Sequence, residues 1–237
     1  MNIGFLPVRG GSKSIPLKNI KNFCGVPLLW YALEALENSF EVDMVVVATD
    51  HEDISNLTRY FNSDKPTMIY DRDPENAMDD SSTESVMLEF LGKCSFKDDD
   101  DILLVQATNP FLLGEDIDHL MDQYYVSGAD SALTVAQCKS FIWSSKGQPH
   151  NYSPYRRPRR QDWDGYNIEN GAAYVCSVGG LLLHKSRLHG QMELSHMKGY
   201  TMIELDESDD WKIAEAIMER LQEDRVAKLR ERFCSLL

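Results

Sequence analysis

The sequence predicts an α/β fold: a three-layer, doubly wound, mostly parallel sheet with helices on both faces. Three observations predict it. Short apolar runs alternate with amphipathic segments along nearly all of the 237 residues. The first run leads straight into a glycine-bearing basic loop, and no shift in composition marks a linker or a repeat. The chain therefore reads as one domain, 1–237, long enough to bury most of its surface.

The elements follow in order. Ile3–Val8 is an apolar run of strand length. Leu28–Glu37 has apolar residues at three- and four-residue spacing, with Pro27 suited to its first turn. Met44–Ala48 reads as a strand, Glu52–Phe61 and Ser82–Leu91 as helices, Ile102–Gln106 as a strand and Glu115–Val126 as a helix. Ala132–Ala136, Ala172–Cys176 and Met202–Leu205 read as strands, and Trp211–Leu221 as a helix. From Phe141 to Ile168 the period is lost, and the segment is polar, aromatic and rich in Arg and Pro. A long irregular stretch inside a domain is usually functional or disordered, so residues 141–168 read as an inserted arm.

Composition narrows the function classes. A net charge of −14 argues against nucleic acid as a partner. Cys24, Cys94, Cys138, Cys176 and Cys234 have no paired spacing and read as free thiols of a reducing compartment. No apolar stretch approaches membrane-spanning length, and Met1 runs directly into the first strand, which together predict a cytoplasmic protein with no membrane partner.

Against that acidity, Arg9, Gly10, Gly11, Ser12, Lys13, Lys18 and Asn19 concentrate cations around a glycine pair at a strand's end. Glycines let backbone N–H groups close around an anion, so the loop reads as a triphosphate site. It matches neither the P-loop nor the dinucleotide fingerprint, and a bare turn is the bland alternative. Ligands of such sheets sit beyond the carboxyl ends of the strands, where Arg9 and Gln106 fall.

The loop resembles the R-G-G-S-K-G-I-P-x-K-N pattern of the sugar cytidylyltransferases. Asp79–Thr83 (DDSST) is similar to that family's D-x-x-S-T, and Leu104–Pro110 (LVQATNP) to its L-x-Q-x-T-S-P. Arg157–Tyr174 (RPRRQDWDGYNIENGAAY) closely resembles the animal-type branch of the CMP-sialic acid synthetases, which includes CMP-KDN synthetases. Glu204–Trp211 (ELDESDDW) sits where the family has D-I-D-x-x-x-D-W. The resemblance implies a Rossmann-like nucleotidyltransferase fold with a protruding dimerisation arm. It also implies transfer of CMP from CTP to the anomeric hydroxyl of a nine-carbon keto sugar acid, N-acetylneuraminate or KDN, with release of pyrophosphate. Legionaminate, pseudaminate and KDO are alternative sugars, although Leu112, where many bacterial relatives have arginine, disfavours legionaminate and KDO.

The same resemblance assigns roles. Arg9, Lys18 and Asn19 hold the nucleotide, with Gly10, Gly11, Ser12 and Lys13 in the loop, and Ser82 contacts the cytosine or ribose. Gln106 lies between nucleotide and sugar, beside Thr108. Arg159 or Arg160 grips the sugar carboxylate as a bidentate fork that lysine cannot reproduce, and Gln161 and Tyr174 line the pocket. Arg9, Lys18, Gln106 and Asp206 form the catalytic set. Magnesium is the expected cofactor, held by Glu204 and Asp206, whose alternation along a strand would put both on one side of the sheet. The partner is a second copy in an arm-exchanged homodimer, with His196 and Tyr200 as candidate contacts across it.

Other features read as structural. Asp98–Asp101 is a solvated loop before a strand, Asp116 and Asp118 serve a helix start, and no histidine has ligand spacing. The basic, aromatic arm (Tyr155, Arg156, Arg157, Arg159, Arg160, Trp163, Tyr166) could bind RNA or act as an import signal, as it can in animal-type relatives, but the whole RPRRQDWDG string favours a substrate-facing role. Departures from the family are Ser14 for glycine, Glu204 for aspartate, and Ala107 and Asn109 in the turn after Gln106. A glycosyltransferase would need a D-x-D motif midway along the sequence, at a strand end, which is missing. A non-catalytic nucleotide-binding module would lack either the loop or the carboxylates, and both are present.

Overall fold

The computed structural model describes residues 1–11, 15–78, 81–205 and 207–236. Strand β1 (Asn2–Pro7) leads into a loop and a 3-10 turn at Lys18–Ile20, then a small hairpin of β2 (Asn22–Phe23) and β3 (Val26–Pro27). Helix α1 (Leu29–Asn38), β4 (Met44–Thr49), α2 (Glu52–Phe61), β5 (Thr67–Asp71), α3 (Thr83–Lys93), β6 (Asp101–Val105) and α4 (Gly114–Ser127) follow. The chain continues through β7 (Ser131–Cys138), β8 (Tyr166–Ser177), α5 (Val178–His184), β9 (Met192–Met197), α6 (Ser208–Leu221) and α7 (Glu223–Ser235).

Seven strands form one sheet in the order β5-β4-β1-β6-β8-β7-β9. All its pairings are parallel except those of β8, which runs antiparallel to both β6 and β7. The central strands are apolar without interruption because both faces are covered. In β4 and β6, Val45, Val47, Leu103 and Val105 face a core shared with α1, α2, α4, α6 and α7. Their neighbours Val46, Ala48, Ile102 and Leu104 face a second core with α3 and α5. This period-two alternation, with helices on either side, is the predicted three-layer, doubly wound α/β sheet. All five cysteines are free thiols.

The structure corrects several expectations. Met202–Leu205 is not a strand: Gly199–Met202 is a 3-10 turn and the chain then runs irregularly. Its apolar residues have another cause, because Ile203 and Leu205 pack on the α1/α6 core. Pro27 ends β3 and does not enter α1. Asp100 and Asp101 are buried, not solvated. Asp100 accepts from the Lys97 amide, and Asp101 from the Tyr124 and Tyr125 hydroxyls. Asp116 does serve a helix start, accepting from the Leu113 amide at 3.0 Å.

The irregular stretch after β7 ends before Ile168, since Tyr166, Asn167 and Ile168 already belong to β8. Between residues 139 and 165 the regular features are a bridge between Trp143 and Pro149 and two 3-10 turns. An aromatic cluster organises this stretch. Phe141 stacks on Trp163 with centroids 4.8 Å apart, Tyr152 lies 4.3 Å from Phe141, and the Arg157 guanidinium sits 4.3 Å above the Phe141 ring.

Candidate active site

The parallel strands β1, β4, β5 and β6 end at one edge of the sheet, and polar residues follow each of them within two positions. Arg9 and Gly10 follow β1, Asp50 and His51 follow β4, Arg72 follows β5, and Gln106 and Thr108 follow β6. This is the edge where doubly wound sheets bind ligands.

The first loop is cross-braced. Asn19 Nδ2 donates to the Arg9 carbonyl at 3.0 Å, and the Gly10 amide donates to Asp50 Oδ1 at 2.9 Å. One amide that the sequence offered to an anion is thus engaged within the protein. Gly10 is required for space, because a Cβ there would collide with the His51 imidazole; Gly11 has no described neighbour within 4 Å of such an atom. Gly10→Ala should therefore lower the melting temperature clearly while Gly11→Ala melts as the parent does. Equal melting of both variants would remove the steric reason for Gly10. Ser12, Lys13 and Ser14 lie outside the described residues, as do Asp79, Asp80 and Asp206.

Two further contacts join distant segments to this loop. Arg9 Nη1 donates to the Met78 carbonyl at 2.7 Å, and Lys18 Nζ to the Leu205 carbonyl at 2.7 Å. The Leu205 amide donates to the Thr108 carbonyl at 3.2 Å. Residue 205 is therefore stitched to both the cationic loop and the turn after β6, which replaces the ladder bonds a strand would have made.

Glu204 lies against β8. Gly171 has φ +66, and a Cβ on it would stand 3.1 Å from Glu204 Cδ and 3.2 Å from each carboxylate oxygen. The strand leaves its pairing register here: Leu133 pairs with Tyr174, but Val135 pairs with Glu169. Such an irregularity, with glycine in the left-handed region, re-aims a strand at a functional edge. Asn170 fixes it from within. Its Oδ1 accepts from Thr134 Oγ1 at 2.7 Å and its Nδ2 donates to Thr201 Oγ1 at 2.9 Å. Buried Asn109 donates to the Asn170 and Thr201 carbonyls at 2.7 and 2.8 Å, so the predicted departure Asn109 ties the turn after β6 to β8.

Other predicted residues are placed differently. Ser82 is the N-cap of α3 and accepts from the Ser85 amide at 3.0 Å, a structural role that already accounts for a serine there. Tyr174 is buried and donates to Glu169 Oε2 at 3.1 Å; burial and the Glu169 charge push its phenol up to about 12, so it stays protonated. Arg159, Arg160 and Gln161 are exposed on the arm, and Arg159 pairs with Asp162 at 2.5 Å. Among the described residues, no hydrogen bond joins these three to the first loop or to Gln106. Asp210 accepts from the Glu207 amide at 2.9 Å and so starts α6, and Trp211 packs edge-on against Phe23 beneath Lys21 Nζ. His196 bonds to Asn167 Oδ1 at 3.0 Å, and Tyr200 packs edge-on against Phe111 of its own chain.

Sequence reasoning missed Arg72. It is buried; burial lowers its pKa, Asp50 opposes that shift and the charge of Arg9 adds to it. Its Nη2 bonds to the Asn76 carbonyl, and its Nε has no partner among the described residues. An arginine one residue removed from the short apolar run Met68–Tyr70 was its one signal, and β5 itself was not read as a strand.

A family model described as cytidylyltransferase matches residues 3–175. The chain belongs to the cytidylyltransferase family. The match runs from β1 through the first loop, the turn after β6 and most of β8. The chain is 34% identical over 215 residues to an N-acylneuraminate cytidylyltransferase of Oncorhynchus mykiss, covering 87% of this chain and 48% of that protein. It thus spans about half the length of that curated relative. It is 26% identical over 232 residues to a CMP-N,N'-diacetyllegionaminic acid synthase of Legionella pneumophila, covering 93% of this chain and 97% of the other. In three dimensions it resembles a CMP:2-keto-3-deoxy-manno-octonic acid synthetase solved in complex with CTP. That likeness has a TM-score of 0.65 at 16% identity and covers 92% of this chain and 98% of the other, which places this cytidylyltransferase in the same fold.

Proposed function

We propose that the chain transfers CMP from CTP to the anomeric hydroxyl of a nine-carbon keto sugar acid of the sialic acid class, releasing pyrophosphate. One observation carries the reading: Lys18 Nζ on the Leu205 carbonyl draws the cationic loop and the Glu204 segment together at the carboxyl edge of the sheet. The relative from Oncorhynchus mykiss, named as an N-acylneuraminate cytidylyltransferase, supports this choice of sugar. Both substrates are anions, so binding and turnover demand cations held in fixed positions, which Arg9, Lys18 and the neighbouring Arg72 supply. In-line attack on the α-phosphorus would place the sugar hydroxyl on the Gln106 side and the departing pyrophosphate on the loop. Pyrophosphate release with CTP and a panel of N-acetylneuraminate, KDN, legionaminate, pseudaminate and KDO tests the reading. Release with N-acetylneuraminate or KDN is expected, and no release with any sugar would overturn it.

Magnesium would be held by Glu204 and Asp206, together with phosphate oxygens. Carboxylate oxygens suit a hard cation, and the glycine at 171 leaves room for the Glu204 carboxylate to lie close over β8. When bound, the ion would neutralise phosphate charge.

We further propose an arm-exchanged homodimer in a reducing, cytoplasmic setting, with Arg159 or Arg160 gripping the sugar carboxylate and Gln161 beside it. The exposure of these residues in the single chain fits a site completed by a second copy. Arg159→Lys or Arg160→Lys should raise the sugar's half-saturation sharply, by about 2–4 kcal/mol of lost binding, and leave that of CTP nearly unchanged. A loss mainly toward CTP would move the arginine to the phosphates.

A further inference from the structure

Between β5 and α3 the chain makes a 3-10 turn at Pro74–Asn76 and continues to Met78, whose carbonyl receives Arg9. One side chain holds this turn from behind. The Glu89 side chain of α3 is 6% exposed. Its Oε1 accepts from the Tyr70 hydroxyl at 2.6 Å, the Asp73 amide at 2.9 Å and Lys93 Nζ at 3.1 Å, and its Oε2 from Asn76 Nδ2 at 2.7 Å. All four partners are donors, so an acceptor-only carboxylate satisfies them together. Burial pushes the Glu89 pKa up, but the bonds from Tyr70, Asp73, Asn76 and Lys93 outweigh it and hold the group down to about 2. The carboxylate therefore stays ionised at any ordinary assay pH.

The braced turn touches the site at two points. Its Asn76 carbonyl receives the buried Arg72, and the Met78 carbonyl two residues on receives Arg9. The Ser81 hydroxyl bonds back to the Glu75 carbonyl at 2.8 Å, just before Ser82 caps α3. Both arginines are thus aimed by carbonyls whose places depend on one carboxylate that itself touches no site residue. We propose that Glu89 is a positioning residue for the nucleotide half of the site: by locking the turn at 73–76 it fixes Arg9 and Arg72 in the orientation that receives the triphosphate. This deepens the reading of Arg9 as a CTP-binding residue and rests on it.

The test is calorimetric titration of CTP, without sugar, into the full chain and three variants, with steady-state kinetics in parallel. Glu89→Ala should raise the CTP dissociation constant and half-saturation about tenfold, with turnover and sugar half-saturation changed far less. Asn76→Ala removes one tie of a half-buried residue that is absent from both core clusters, so it covers the case in which Glu89→Ala misfolds, and it should shift CTP in the same direction. Glu89→Gln should recover most of the affinity, because the Asn76 carboxamide can turn its oxygen toward the new amide. Arg9→Ala is the control for the underlying reading. If Arg9→Ala weakens CTP while folded Glu89→Ala and Asn76→Ala bind it as the parent does, the positioning role alone is overturned. If Arg9→Ala binds CTP as the parent does, the reading of the loop falls and this inference with it. Equal losses in turnover and in both half-saturations in Glu89→Ala would mark a merely structural residue and also overturn it.

Discussion

Arg225→Ala should cost about 3–5 kcal/mol and lower the melting temperature by on the order of 10 °C, the range for removing one member of a buried ion pair from a chain of this length. Arg225 lies on α7 and is buried beneath α1. Its Nε donates to Glu34 Oε2 at 2.8 Å, its Nη1 to the Pro110 carbonyl and Gln222 Oε1 at 2.8 Å each, and its Nη2 to the Tyr31 carbonyl at 2.8 Å. Burial pulls the guanidinium pKa down, and Glu34 pulls it back. Alanine would leave the Glu34 carboxylate uncompensated, with its side chain 17% exposed, and would free the Pro110 carbonyl. Lysine should rescue little, since a single ammonium cannot reach four acceptors placed for a planar fork. Arg225→Met combined with Glu34→Leu should recover much of the loss, because it removes both charges and leaves apolar volume. The check is thermal and urea unfolding of all four proteins. A fall of only a degree or two in Arg225→Ala would mean that water already relieves Glu34 and that the other contacts of α7, among them Val226, Leu229, Phe233 and Arg232, hold it without Arg225. Pro110 closes the turn that begins at Gln106, so this pair also anchors one wall of the candidate site from outside.

The central layers were legible because burial on both faces leaves a strand no polar positions. Ile3–Val8, Met44–Ala48 and Ile102–Gln106 could hardly have been read otherwise. The edges were not legible. β5 (TMIYD) and β9 (MELSHM) flank the sheet with one side partly in solvent, so their apolar content falls below a recognisable pattern. Helix α5 contains two glycines, and α7 exposes charges around only three large apolar side chains, Val226, Leu229 and Phe233. The opposite error occurred at Met202–Leu205, where apolar residues signalled packing and not a ladder. In the site, residue identity pointed to the loop, but which backbone groups remain for a ligand was set by tertiary contacts. Asp50, forty residues from Gly10, takes its amide. Arg72 and Glu89 escaped notice because their importance lies in what they meet across the fold.

Gly171→Ala should reduce turnover by about tenfold or more while costing only about 1–2 kcal/mol of stability, since a left-handed residue is strained by a Cβ and a small displacement at a reacting centre is costly. The two effects share one atom. At φ +66 alanine is disfavoured whatever the space, and its methyl would press on Glu204 at 3.1–3.2 Å, forcing the carboxylate to retreat by a few tenths of an ångström. If Glu204 and Asp206 hold magnesium, that retreat weakens the ion's grip, and activity should demand more of it. Glu204→Gln should show the same rise in magnesium demand through loss of charge, and Asp206→Asn a larger one, its shorter stem leaving less freedom for water to bridge. Titrating magnesium against Gly171→Ala, Glu204→Gln and Asp206→Asn at fixed CTP separates the causes. A melting point lowered by several degrees with unchanged magnesium demand in Gly171→Ala would reduce this glycine to backbone conformation. Unchanged demand in all three would leave the ion held by phosphates and water alone, and the Glu204 segment would then serve only to tie Lys18 to the turn after β6.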